Sequence, residues 1–62
     1  MKNYIVVDEQ NVWLAYGQFK SPKEALKQGK LNDQDDYKKE VYVYELAQAS
    51  PVLTGISGKE EF

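Results

Sequence analysis

The junction Ser21-Pro22-Lys23-Glu24 constrains this chain more than any other stretch. Ser21 is placed to cap a helix with its hydroxyl, Pro22 suits the first helical position, and Glu24 can reach back to the Ser21 amide as the second half of a capping box. A helix therefore starts here, and the apolar residues before it must end a strand. Ala25, Leu26 and Gly29 form the face that meets a sheet, while Lys23, Lys27 and Lys30 face water. Gly29 reads as a left-handed C-terminal stop, which predicts a helix of about two turns that needs the sheet for its stability.

Upstream, Tyr4 to Asp8 and Val12 to Phe19 are rich in β-branched and aromatic residues, and the polar Glu9-Gln10-Asn11 between them suits a hairpin turn. If Asp8 pairs with Val12, then Val7 faces Trp13 and Ile5 faces Ala15 on one side. Val6 then faces Leu14, and Tyr4 faces Tyr16, on the other. A slip of one residue regroups these sets, and both faces are apolar in either register. Gly17 marks a bulge or a close approach of the helix backbone.

Downstream, Lys30 to Lys39 reads as a polar connection, and Val41-Tyr42-Val43-Tyr44-Glu45-Leu46 is the strongest strand signal in the chain. A helix carrying Tyr37, Val41 and Tyr44 on one face competes, but the run is poor in helix formers. Ser50-Pro51 ends this strand, and Val52 to Gly58 adds at most a short edge segment. The expected fold is α+β, a three-stranded antiparallel β-β-α-β sheet in the order 2-1-3 with one short helix packed on one face. Its 62 residues make one domain over 1–57 with a flexible tail at 58–62.

With neither cysteine nor histidine, the chain holds no disulfide framework and no ordinary zinc, haem or iron–sulfur site. Asn32, Asp33, Asp35, Asp36 and Glu40 superficially suggest a calcium loop, but the turn glycine and the closing glutamate are missing. Ser21, Ser50, Thr54 and Ser57 have no histidine to act as base, and Gly55-Ile56-Ser57-Gly58 lacks the lysine and following helix of a phosphate loop. A non-enzymatic protein without cofactor or metal is expected. The N-terminal apolar run, four residues long before Asp8, is neither a signal peptide nor a membrane span, which points to a soluble protein of a reducing cytoplasm.

One helix covers one face of a sheet and leaves the other bare. Ile5, Val7, Trp13, Ala15, Phe19, Leu26, Tyr42, Tyr44 and Leu46 are assigned to the core, which turns Tyr4, Val6, Leu14, Tyr16, Val41 and Val43 outward as an apolar patch. A patch of that kind marks an interface with a protein partner or a second copy, unless Val52, Leu53 and Ile56 fold across it. Strand tyrosines also suit stacking of single-stranded nucleic acid. A formal charge of −2 and the placement of Asp8 and Glu45 argue against that use.

Tyr4-Ile5-Val6-Val7-Asp8, then Phe19, Ser21, Glu24 and Ala25, then Val43-Tyr44-Glu45-Leu46 form a pattern over about two-thirds of the chain. It resembles the small ββαβ proteins common in bacteriophages, prophages and their Gram-positive hosts. These motifs make a fold rather than a chemistry. The resemblance implies a small accessory protein, with no catalytic residues to carry over, and a structural subunit of a larger assembly is a further expectation of that kind.

Overall fold

The computed structural model describes residues 1–34 and 37–58. Strands β1 (Lys2–Asp8) and β2 (Trp13–Phe19) lead into helix α1 (Pro22–Asn32), followed by β3 (Lys39–Glu45) and β4 (Leu53–Ser57). The fold is α+β, but the sheet has four strands in the order β2-β1-β3-β4 rather than three, with every neighbouring pair antiparallel. The segment after Pro51 extends the sheet at its edge, with Leu53 opposite Val43 and Ile56 opposite Glu40. It does not lie across the bare face. Of the expected tail only Gly58 is among the described residues, and Asp35 and Asp36 of the acidic loop also lie outside them.

The β1–β2 turn is a short hairpin loop in which the Asn11 amide donates to the Asp8 carbonyl and the Asp8 amide to the Val12 carbonyl. Asn11 takes the left-handed conformation (φ 63°) that this loop length demands and that asparagine tolerates. The pairing then slips. Val7 faces Trp13, but Val6 faces Ala15, Ile5 faces Tyr16 and Tyr4 faces Gly17, leaving Leu14 as an extra residue. The bulge is at Leu14, while Gly17 instead supplies a positive φ of 149° that a side chain would resist. The Asn32 side-chain amide caps the Leu14 carbonyl at 2.9 Å and ties the end of the helix to the bulge.

The bulge decides which side of the sheet is inside. An unbulged strand puts Trp13, Ala15 and Phe19 on one face. With the extra residue, Ala15 and Phe19 stay inside and Trp13 turns out, and the neighbouring strands follow. Tyr4, Val6, Val41 and Val43, expected outward, are buried with Ala15 and Ala25, and Leu14, Phe19, Leu26 and Leu53 pack against them. The expected core residues Ile5, Val7, Trp13, Tyr42 and Tyr44 lie on the face away from the helix, where Val7 is buried all the same. Only Tyr16, of the six residues expected to form the patch, is on the open side.

Size explains why this arrangement wins. The inner helix face is small at Ala25 and Gly29, both buried, so the helix sits close on the valines, and Tyr4 is the one strand tyrosine on that side. Tyr16, Tyr42, Tyr44 and Trp13 instead lie on the helix-free face, where their polar atoms can reach water. Ser21 caps the helix as expected, accepting from the Glu24 amide at 3.3 Å. The helix does not stop at Gly29. It runs for 11 residues and ends at Asp33, whose amide donates to the Gly29 and Lys30 carbonyls.

Gly29 is a packing glycine, since a Cβ there would lie 2.6 Å from Val6 Cγ1. Gly29→Ala gains about 1 kcal/mol of helix propensity but forces the helix off a stiff, fully buried valine at a cost of about 1–3 kcal/mol. A lower melting temperature is expected. Adding Val6→Ala should recover part of the loss, and a double variant whose effects simply add would show that the two sites do not press on each other.

Candidate functional site

Two places concentrate chemistry. The first is the helix-free face of the sheet. Register puts Asn3, Ile5 and Val7 of β1, Trp13, Tyr16 and Gln18 of β2, Glu40, Tyr42 and Tyr44 of β3, and Thr54 and Ile56 of β4 on it. Trp13 and Tyr16 are the most open of the aromatic set, at 65% and 61% exposure. Their rings lie 5.7 Å apart at a 30° tilt, a contact that braces both side chains along the strand. Val7 and Ile5 form the floor between this aromatic ridge and the one made by Tyr42 and Tyr44.

Glu40 is the only charged strand residue on this face. The Tyr42 hydroxyl donates to Glu40 Oε1 at 2.5 Å. That hydrogen bond, with partial desolvation and the carboxylate charge behind it, holds the Tyr42 phenol above its ordinary 10.0. The helix that carries Lys23, Lys27 and Lys30 packs on the opposite side. A phosphate backbone would therefore meet an acidic group and no cation on the strands, whereas an apolar protein surface would meet mostly aromatic area.

The second place is at the hairpin end of the sheet, where a cleft of about 270 Å³ is lined by Asp8, Trp13, Leu14, Asn32, Asp33 and Lys39 among others. At its base Lys39 Nζ lies 3.2 Å from Asp8 Oδ2 and 3.3 Å from Asp33 Oδ1, and all three side chains are nearly fully buried. Asp8 Oδ1 accepts from the amides of Gln10 and Val12 at 2.8 and 2.9 Å. Asp33 Oδ2 accepts from the Ser57 hydroxyl, and the Tyr37 ring lies 5.4 Å from the Lys39 ammonium.

This cluster joins all of the sheet but β2 to the end of the helix. It sets Lys39 Nζ between two carboxylates. Sequence reading passed over it, although Lys39, Val41 and Val43 share one strand parity, the signal that the lysine points inward. Among the described residues, no group of three or more histidine, cysteine, aspartate or glutamate side chains converges as metal ligands. Among the same residues, no helix is long and apolar enough to cross a membrane. Comparison with family models, with curated proteins and with solved structures finds no match for the chain.

Proposed function

We propose that this chain is a small non-enzymatic protein-interaction module that binds through the helix-free face of its sheet, an accessory role of the kind the phage-type resemblance implies. The observation that carries the reading is the pair of aromatic ridges, with Trp13 and Tyr16 open to solvent on a face that no other described segment covers. Aromatic side chains supply large contact area at low entropic cost and are enriched where binding energy concentrates. The buried Lys39 cluster gives the face a rigid support at its hairpin end.

Co-precipitation from source cells, compared between wild type and Tyr16→Glu, tests this. Partners retained by wild type and lost by the variant, with unchanged far-UV circular dichroism, support the module. Equal retention by both proteins places the interaction elsewhere. Single-stranded oligonucleotides at low salt are expected to show no gel retardation, because the one charged strand side chain on the face is a carboxylate.

A further inference from the structure

The two edges of the sheet are finished differently. The Leu46 amide donates to the Asn3 carbonyl, so Tyr42 and Tyr44, in step with Leu46, turn their backbone groups toward β1, and Lys39, Val41 and Val43 turn theirs toward β4. Ser57, Gly55 and Leu53 pair with those three. The amides and carbonyls of Thr54 and Ile56 therefore point away from the sheet, and among the described residues none bonds to them. The β2 edge is guarded: the bulge at Leu14 breaks its ladder, Asn32 occupies the Leu14 carbonyl, and Gly17 departs from strand geometry at φ 149°. β4 runs in unbroken register from Leu53 to Ser57 without a charge or a proline. Such an edge is a template for another strand.

The helix supplies the charge beside that edge. Gly29 faces Val6 in the sheet, and Leu26 lies over Gly55, 2.7 Å from where a Cβ would stand. Measured round the helix from Gly29, Leu26 is turned by about 60° toward β4, and Lys30 and Lys23 by about 100° and 120° in the same sense. Both lysines therefore project sideways, beyond the edge strand. The Ser57 hydroxyl donates to Asp33 at the helix end, so helix and β4 run the same way, with Lys23 level with Leu53 and Lys30 level with Ser57.

We infer that the outer edge of β4 takes an extended segment of a partner protein, whose backbone pairs with Thr54 and Ile56 and whose helix-side residues read acidic, apolar, acidic at alternate positions. The apolar residue, opposite Gly55, lies beside Leu26. The acidic ones, opposite Leu53 and Ser57, come under Lys23 and Lys30. Two strand residues advance about 6.7 Å, and the helix advances about 4.5 Å from Lys23 to Leu26 and about 6 Å from Leu26 to Lys30, so a lysine side chain spans the difference. A second copy suits this edge less well. Pairing β4 with itself about Gly55 would run the two helices antiparallel and bring Lys23 of one copy toward Lys30 of the other, like charge on like. The inference concerns the edge alone and makes no use of the helix-free face.

The test is a titration of the nitrogen-15-labelled full chain with two synthetic peptides, acetyl-Glu-Thr-Val-Thr-Glu-amide and its twin with lysine at both ends. Amide spectra are followed to about 5 mM peptide, enough to see a millimolar Kd. The glutamate peptide is expected to shift the Thr54 and Ile56 amides saturably, and the lysine peptide to bind at least threefold more weakly at low salt. Lys23→Glu puts a carboxylate in the first helical turn, where the dipole favours it, so the fold is kept and the preference between the peptides should narrow or reverse. Tyr16→Glu, on the far strand β2, should bind both peptides as wild type does, which keeps this result separate from the fate of the helix-free face. Thr54 and Ile56 amides unmoved by either peptide overturn the edge as a site, and so does a Tyr16→Glu protein that no longer binds. Equal binding of the two peptides, or a preference that Lys23→Glu leaves untouched, overturns the acidic partner. Shifts of the same two amides on concentrating the protein alone would assign the edge to a second copy instead.

Discussion

Val43→Glu is expected to unfold the chain, whereas Tyr16→Glu leaves its far-UV circular dichroism and urea midpoint close to wild type. Both residues carry an apolar side chain on a strand, and the sequence pattern places them on the same face. The structure separates them. Val43 is fully buried between β1 and β4, paired with Val6 on one side and Leu53 on the other. A carboxylate there loses its hydration with no cation within its reach in the core cluster, at a cost of several kcal/mol even after it takes up a proton. A domain of this size, with no disulfide to staple it, holds about 3–5 kcal/mol in total. Tyr16 is 61% exposed, so a carboxylate there stays in water and removes only contact area. Unfolding of the Tyr16 variant and survival of the Val43 variant would mean that the helix packs on the other side of the sheet.

Much of the architecture was legible because it is written in local chemistry. The Ser21 cap, Pro22, the Asn11 turn and the Val-Tyr alternation each act over a few residues, and each appears where expected. What was not legible depends on distant partners. An extra residue at Leu14 reverses the parity of half a strand, and nothing in Trp13-Leu14-Ala15-Tyr16 announces it. At that bulge the Asn32 side-chain amide reaches the Leu14 carbonyl from the helix end. Gly29 carries the same lesson, since a glycine late in a helix reads as a terminus, and only the valine beneath it shows that the backbone is there to approach. The glycines of the last segment argued for no more than a short edge segment at β4, yet Gly55 sits under Leu26 and would bring a Cβ within 2.7 Å of it.

The same dependence on distant partners makes Asp8 the second residue whose loss should be severe. Asp8→Ala removes the acceptor for the Gln10 and Val12 amides and one of the two carboxylates holding Lys39. Uncompensated polar groups at such a site cost about 3 kcal/mol or more, most of the stability available. Asp8→Asn keeps an oxygen for the amides and should lose less. The ionic share can be read from pH. Burial pushes the Asp8 carboxyl upward, but donation from the Val12 and Gln10 amides and the neighbouring Lys39 ammonium outweigh it and hold it below its ordinary 3.8. Because the folded chain holds this proton less tightly than the unfolded one, the stabilisation is complete above the ordinary value and is lost as the pH falls through the folded one. Urea midpoints for wild type and Asp8→Asn, taken from about pH 7 to about pH 2, should therefore converge as acid is added. A gap that keeps its width throughout would mean that the carboxylate charge contributes nothing, and that Asp8 serves the fold only as an acceptor for the turn.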